Sequence, residues 1–417
     1  MTPRIVITGR GVITPVGHNV DDAWQMLCDG THGLAPLGPG FSELPIQWAG
    51  QIRDFDPSVA IPSRRTRRSM DRRAILAVVA GAQALREAGL LGGSRPDPAR
   101  LGVALAANHP LVDLPELETA LRRQPQIASS DAGSLHFASK LPPLGFVTRF
   151  INMATSHMAA QFDLQGPSAT PTGDGAAGAH AVGIALRWLR LGIVDAVLVG
   201  GVDAQLDPFH LGVLAQRPEM FASGPPGPST GPFGAKRRGG YPGEAAACLV
   251  LESLERARAR GAEPIAEVVG YGAATATEWE LDPGPDRALI RAVHEACGRV
   301  VPTRDCPFAV YAAGIGSPRH DRAEAVALKT LGYGAKVTSL KGACGNTLAA
   351  SAPVDLVMAT QTLSLGVLPP TVGAEERGTD CDLDLCIRPE KRDYRWALVH
   401  AMGFRGPRSA VLLGAPP

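Results

Sequence analysis

One short glycine-rich segment of this sequence is of the kind that presents a catalytic residue at the start of a helix. Residues 173–180 read GDGAAGAH and precede a helical pattern rich in small residues. Such a turn can present one side chain at a helix N-terminus, where free N–H groups favour an anion. An enzyme that works through a covalent intermediate would place Cys or Ser there, whereas this chain has Asp174 and Gly175. Taken alone, Asp174 is interpreted as the N-cap of the helix.

Two further patterns exclude common chemistries. The opening segment ITGRGVITPVG is similar to a dinucleotide-binding loop through Gly9 and Gly11, but Thr14 stands at the third glycine position and no acidic residue follows at the required spacing. An oxidoreductase is therefore not expected. No HExxH or other metal-ligating spacing occurs, and Cys381 and Cys386 lack a second pair. We therefore predict no metal site.

The composition predicts a folded protein that works in a reducing compartment. With 417 residues, 45% of them hydrophobic, the chain can bury a core, which excludes disorder as its main state. The balance of 41 basic and 40 acidic residues, with only 5% aromatic, argues against a nucleic-acid binder. The N-terminus lacks the pattern of a signal peptide, no apolar run reaches about 20 residues, and the seven cysteines are scattered. We therefore predict a cytoplasmic protein.

Two histidines have different predicted environments. His180 falls within a helical pattern rich in small residues and is predicted to lie in the core, and His320, in the segment SPRHDRAE, is predicted to be exposed.

A dense basic run stands out against the near-neutral net charge of +1. Residues 63–73 read SRRTRRSMDRR and contain six arginines, numbered 64, 65, 67, 68, 72 and 73. Such a run is often a solvated helix start. Arginines at a helix N-terminus oppose the helix dipole, however, so a local anionic partner is an equal alternative.

Hydrophobic patterning predicts strands that alternate with helices along the whole chain. Strands are predicted at 5–8, 101–107, 195–204, 265–274, 308–314, 336–340 and 409–414, and helices at 21–27, 74–91, 175–191, 286–300, 323–332 and 347–366. Residues 244–262 are predicted to be a strand that runs into a helix. The Gly- and Pro-rich residues 206–243 are interpreted as a long surface loop. This alternation predicts an α/β protein with mainly parallel sheets.

Taken together, eight segments resemble the β-ketoacyl synthases, the condensing enzymes of fatty acid and type II polyketide assembly. They follow the family's order along nearly the whole chain. They are RIVITGRGVITPVGHNVDDAW (4–24), GPSATPTGDGAAGAHAVG (166–183), DAVLVGGVDA (195–204), GPFGAKRRGGYPGEAAACLVLE (231–252), VYAAGIGSPRHDRAEAVALK (310–329), SLKGACGN (339–346), GVLPPTV (366–372) and MGFRG (402–406). The resemblance implies a thiolase-like fold, in which two similar α/β halves, residues 1–256 and 257–417, stack as αβαβα layers.

The resemblance also implies that the catalytic positions are empty. In that family a Cys thiolate at a helix N-terminus takes the acyl chain, and two His residues assist decarboxylation and stabilise the enolate. Gly175 matches the Cys position, with Asp174 as a second candidate for it. Ala313 matches the first His and Asn346 the second. No catalytic residue is therefore expected.

The residues around that site are retained. Glu324 matches the family's acidic residue, Lys341 its lysine, and Phe404 its gating aromatic, whose N–H helps to form the oxyanion hole. A preserved shell around an emptied site resembles the chain-length factor, the non-catalytic subunit that pairs with an active ketosynthase during aromatic or polyene polyketide elongation. The resemblance implies a heterodimer with that ketosynthase.

Two surfaces follow from this resemblance. Residues 141–153 are similar to the interface region that lines the acyl cavity, with Gly145, Phe146 and Phe150 as its candidate residues. Gly145 stands where a bulky aromatic often occurs, so we expect room for a longer or stiffer chain. The arginines at 64, 65, 67 and 68 match a region that contacts the acidic acyl carrier protein. Phosphopantetheine would arrive on that carrier, and no cofactor bound by the chain itself is expected.

Two alternatives remain open from the sequence. One is a free-standing homodimeric acyltransferase that depends on an acyl carrier and uses altered chemistry at Asp174. The other is a catalytically inert homodimer that binds acyl chains.

Overall fold

The computed structural model describes residues 2–92, 95–108, 150–277, 284–298, 300, 308–404 and 406–417. In these residues the strands are β1 (Ile5–Ile13), β2 (Leu34–Pro36), β3 (Trp48–Gly50), β4 (Leu101–Ala106), β5 (Ser168–Ala169), β6 (Ala196–Asp203), β7 (Ala245–Ser253), β8 (Ala266–Thr275), β9 (Phe308–Tyr311), β10 (Lys336–Thr338), β11 (Val367–Leu368), β12 (Glu390–Lys391), β13 (Trp396–Met402) and β14 (Pro407–Gly414).

Helices separate most of these strands. They are α1 (Val20–Cys28), α2 (Arg64–Arg68), α3 (Arg72–Glu87), α4 (Met153–Phe162), α5 (Ala177–Arg190), α6 (Pro208–Leu214), α7 (Leu254–Ala259), α8 (Arg287–Cys297), α9 (Pro318–Leu331), α10 (Lys341–Cys344) and α11 (Ser351–Leu365). Short 3₁₀ turns at Asp174–Ala176 and Leu348–Ala350 lead into α5 and α11. The predicted α/β class is confirmed.

One sheet with the same strand pattern on both sides of its centre runs through the described residues. Its order is β10-β9-β13-β14-β8-β1-β7-β6-β4-β5. Outward from β1, the pairings are antiparallel to β7 and β6, then parallel to β4 and β5. Outward from β8, they are antiparallel to β14 and β13, then parallel to β9 and β10. The sheet therefore consists of two similar halves joined by the antiparallel pairing of β1 with β8.

The boundary between the halves that the sequence predicts, at residues 256 and 257, falls inside α7. That boundary stays a prediction.

The expectation of mainly parallel sheets is wrong for the described residues. Five of the nine strand pairings in this sheet are antiparallel. Strand β7 is an almost continuous apolar run, AAACLVLES, and it is buried from Ala245 to Glu252. Such a run indicates burial on two faces and leaves strand direction open. Strand β13, which the sequence patterns do not predict, forms a hairpin with β14 that makes one of the antiparallel pairings.

The two halves of the sheet enclose a central layer of helices. Helices α5 and α11 pack against strands of both halves, in a core that includes Val199, Leu249, Val399 and Val411. Helix α11 is buried from Ser351 to Leu363, which explains why its sequence is apolar on all sides. Helix α3 covers one outer face of the sheet and α8 the other. The expected αβαβα layering of a thiolase-like fold is confirmed.

Residues 206–243 differ from the predicted surface loop. They contain helix α6, and Phe233 within them is fully buried. Arg237 is buried as well, and its guanidinium donates to Asp380 at 2.7 Å. A Cβ on Gly231 would lie 2.4 Å from the carbonyl oxygen of Val372. The glycines of this segment therefore allow close backbone packing, which composition alone does not distinguish from exposure.

His320 is partly buried, contrary to the expectation that it is exposed. Its Nδ1 lies 2.9 Å from the hydroxyl of Ser317, at the start of α9. Burial lowers its pKa to about 4, so His320 is neutral at physiological pH.

Candidate functional site

The turn before α5 has an unusual backbone. Asp174 has a φ of +51°, in the left-handed region that Asp tolerates better than most residues. The carboxylate of Asp174 accepts a hydrogen bond from the N–H of Phe404 at 3.2 Å. Helix α5 has Ala176 at its N-cap and no side-chain cap. The interpretation of Asp174 as the N-cap is therefore wrong, because the side chain bonds across to the β13–β14 loop.

Asn108 fixes this turn to the sheet. Its Oδ1 accepts from the N–H of Asp174 at 3.0 Å, and its Nδ2 donates to the carboxylate of Asp203 at 2.8 Å. Asp203 also accepts from the N–H of Ala349 at 3.2 Å. Burial raises the pKa of Asp203 to about 6. Asn108 follows β4 and Asp203 ends β6, so polar residues at the carboxyl ends of neighbouring parallel strands were the missed signal.

Gly175, the match to the Cys position, is buried under the β13–β14 loop. A Cβ added to Gly175 would lie 2.5 Å from the carbonyl oxygen of Met402. A Cβ on Gly403 would lie 2.7 Å from the carbonyl oxygen of Gly173. Because real Cβ atoms do not approach that closely, neither position can take a side chain unless the backbone moves.

Glu324 binds the backbone of the turn that contains Ala313. Its two carboxylate oxygens accept from the N–H groups of Ala313 at 2.7 Å and Gly314 at 2.9 Å. The Nε2 of His400 also lies in hydrogen-bond contact with Glu324, and both side chains are fully buried. Glu324 therefore has a structural role here. The sequence analysis missed His400, whose signal is a single His within the apolar strand WALVHAM.

Lys341 and Asn346 line a cavity of about 260 Å³. The Oδ1 of Asn346 accepts from the N–H of Leu348 at 3.2 Å, an Asx turn that leads into the 3₁₀ turn at Leu348–Ala350. Asp355 lies deeper, where burial raises its pKa to about 7 and the nearby Lys341 charge opposes that rise. The other lining residues supply no Cys or Ser. They are Gly30, His32, Leu34, Pro226, Gly227, Pro228, Thr230, Gly231, Pro232, Gly240, Tyr241, Ile315, Gly342, Val372, Gly373 and Glu375.

The cysteines of the described residues are unsuited to nucleophilic catalysis. Burial raises the thiol pKa of each one, to about 11 or more: Cys28, Cys248, Cys297, Cys344, Cys381 and Cys386. A catalytic Cys needs the opposite shift, because the thiolate is the nucleophile. This includes Cys344, close to Asn346 in sequence.

The basic run divides into exposed and structural arginines. Arg64, Arg65 and Arg68 are exposed on α2. Arg67 is partly buried, and its guanidinium donates to the carbonyl oxygens of Ile61 and Pro62.

Two further arginines of the run form ion pairs at the start of α3. Arg72 pairs with the buried Glu244, and Arg73 is buried against Asp71. The run is therefore part docking candidate and part scaffold.

The candidate cavity residues are only partly described. Gly145 and Phe146 lie outside the described residues. Phe150 lies within them and is 46% exposed. His180 is partly buried, with its Nδ1 2.7 Å from the hydroxyl of Tyr271.

No group of three or more His, Cys, Asp or Glu residues able to hold a metal ion occurs in the described part of the chain. Across the same residues, the helices are too short or too polar to cross a membrane.

Family models match most of the chain. The N-terminal domain of β-ketoacyl synthases matches residues 2–257, and the C-terminal domain matches residues 265–375. The chain belongs to the β-ketoacyl synthase family. This confirms the resemblance seen in the sequence.

Relatives of this synthase-family chain include polyketide enzymes. It is 32% identical over 431 residues to a putative polyketide beta-ketoacyl synthase 1 of Streptomyces halstedii, which covers 100% of this chain and 99% of the relative. Two solved structures match over 100% of both chains: the ishigamide ketosynthase/chain length factor, at 26% identity and a TM-score of 0.84, and a type II ketosynthase in complex with its acyl carrier protein, at 25% and 0.84. The chain is therefore a ketosynthase-family protein like those of type II polyketide systems.

Proposed function

We propose that this chain is a chain-length factor: the non-catalytic subunit that pairs with an active ketosynthase and shapes the acyl cavity during type II polyketide elongation. The observation that carries the proposal is the turn at Gly175. Gly175 itself has no side chain, the Met402 carbonyl leaves no space for one, and the neighbouring Asp174 carboxylate is bonded to the N–H of Phe404.

The other catalytic positions support the same conclusion. Ala313 and Asn346 lack the imidazoles that would assist decarboxylation. Each such group typically contributes a factor of roughly 10² or more to the rate, so a chain that lacks all three should not turn over usefully.

The retained scaffold explains why the chain keeps the fold of its enzymatic relatives. Glu324 holds the turn at Ala313 and Gly314, and Asn346, although it stands in place of the second His, bonds to the N–H of Leu348. A partner subunit needs these turns for its shape even where no reaction occurs at them.

A free sheet edge favours assembly with a second ketosynthase-like chain. Strand β5 ends the sheet and pairs on one side with β4, with no second neighbour among the described residues. Ser168 in β5 is exposed. An unpaired edge of this kind can accept a strand from another chain.

In this proposal the acyl carrier protein docks on the complex and delivers the chain on its phosphopantetheine. The exposed arginines of α2 give a basic face for that acidic carrier. The cavity predicted at Gly145, Phe146 and Phe150 would set the chain length. Once an apolar cavity is filled, inserting a further methylene group costs about 1–3 kcal/mol.

Co-expression tests the assembly. The chain is produced alone and together with a Cys-containing ketosynthase, and both preparations are analysed by size-exclusion chromatography with light scattering. We expect a stable 1:1 complex from co-expression and poor solubility or weak self-association alone. A stable homodimer that does not bind the co-expressed ketosynthase would favour the homodimeric alternatives instead.

A further inference from the structure

Two loops, one from each half of the fold, come into contact at the candidate site. The turn at residues 173–176 belongs to the half that contains β6, and residues 403–406 connect β13 to β14 in the other half. Gly175 lies against the Met402 carbonyl and Gly403 against the Gly173 carbonyl. The loops thus touch through backbone atoms, with glycine on each side.

The side chain of Asp174 joins these two loops through a hydrogen bond. The Oδ2 of Asp174 accepts from the N–H of Phe404 at 3.2 Å. The backbone of Asp174 is itself held, because Asn108 accepts from its N–H at 3.0 Å and donates to its carbonyl oxygen at 3.3 Å. Its carboxylate is therefore aimed at the loop by a fixed backbone.

The ring of Phe404 is held on its other side. It packs edge-on against Phe221, with the ring centroids 5.8 Å apart. The loop is thus fixed through both the amide and the ring of the same residue.

We propose that Asp174 is a positioning residue that holds the Phe404 loop against Gly175 and keeps its amide occupied. A backbone N–H in such a loop is the kind of donor that stabilises a developing oxyanion. A carboxylate already bonded to it competes for that donor and repels further negative charge. The turn is therefore closed to an acyl carbonyl. This inference deepens the proposed non-catalytic role and rests on it.

Hydrogen–deuterium exchange of the full-length chain tests this proposal. Asp174→Gly removes the carboxylate and leaves a residue that adopts positive φ without strain. We expect exchange in the peptide that contains Phe404 to accelerate by about tenfold, the usual effect of losing a hydrogen bond to a charged group. Asp174→Asn keeps an oxygen acceptor and should restore most of the protection.

Asp163→Gly is the matched control. Asp163 also has positive φ, +52°, but it ends helix α4 and bonds to Arg95 and Gln165. We expect that variant to leave the Phe404 peptide unchanged. If the Phe404 peptide exchanges in Asp174→Gly at the wild-type rate, the proposal is overturned. If that variant does not fold, Asp174→Asn and Asp174→Ser are compared instead. Wild-type exchange rates of the Phe404 peptide in both of them would overturn the proposal.

This readout needs no partner subunit. A failure to bind a ketosynthase would defeat the proposed function while leaving the exchange result intact. Conversely, if the chain forms the complex but the Phe404 amide exchanges rapidly, only the proposed role of Asp174 is wrong.

Discussion

Gly175, which we propose stands at the nucleophile position, lies where a side chain does not fit. The carboxylate of its neighbour Asp174 accepts a hydrogen bond from the N–H of Phe404. A Cβ added to Gly175 would lie against the carbonyl oxygen of Met402. In the proposed role, this site therefore differs from the site of an active ketosynthase in its backbone packing as well as in the missing thiol. Restoring a side chain at residue 175 must also move the β13–β14 loop.

Gly175→Ala tests this packing. We expect the free energy of unfolding to fall by about 1–3 kcal/mol, because the added Cβ would lie 2.5 Å from a carbonyl oxygen. Chemical denaturation measures the change. Gly212→Ala in helix α6 is the control, since nothing lies within 4 Å of its added Cβ. That variant should keep or gain stability, and an equal cost for both would contradict the packing argument.

Asp355 gives a pH-dependent prediction. Burial raises its pKa from 3.8 to about 7. Because the folded-state pKa exceeds the unfolded one, the folded protein binds an extra proton between about pH 4 and pH 7. This carboxyl therefore costs stability increasingly as pH rises through that window.

Asp355→Asn removes that ionisation. We expect the variant to match the wild type near pH 4 and to exceed it by on the order of 2–4 kcal/mol above pH 7. Denaturant titrations at several pH values measure the difference. A difference that does not vary with pH would contradict the account.

The arginines of the basic run around helix α2 have two different roles in the structure. Six arginines in sequence suggested a single patch, but only three are exposed on α2, namely Arg64, Arg65 and Arg68. Arg67 binds backbone carbonyls, and Arg72 pairs with Glu244. Sequence density could not separate these roles, because the partners lie on other elements.

Charge reversal on α2 tests carrier docking. Arg65→Glu with Arg68→Glu, in the complex with a ketosynthase, should raise the apparent KM for the acyl carrier protein by about tenfold, with kcat nearly unchanged. Arg67 is left intact because its loss would disturb the backbone. Arg322→Glu, another exposed arginine on α9, is the control and should have no effect. An equal response from both variants would remove the docking role.

The elements themselves were largely predictable. Strong apolar runs such as β4 and β6, and the periodic helix α3, lie where the patterns placed them. Strand β13 was missed because its run is interrupted by the buried His400, whose partner Glu324 comes from a distant helix. Strand direction was also mispredicted, because buried runs look alike in both orientations.

At the scale of the whole molecule, two similar half-sheets enclose α5 and α11 and bring the turn at Gly175 to the β13–β14 loop. The family resemblance predicted this layering, which local patterns alone could not supply. It also predicts that the catalytic positions are empty, which stays a prediction, and it does not supply the contacts of Asn108 and Asp174 that hold the turn. Those contacts join residues far apart in sequence.

An acyl-loading experiment decides whether this chain can carry an acyl group covalently. The isolated chain and its complex with a ketosynthase are each incubated with an acyl-loaded carrier protein, and the intact mass of every subunit is measured. We predict an acyl adduct on the ketosynthase and none on this chain, in either preparation. A thioester- or ester-linked acyl group on this chain, or carbon–carbon bond formation by it alone, would contradict the account.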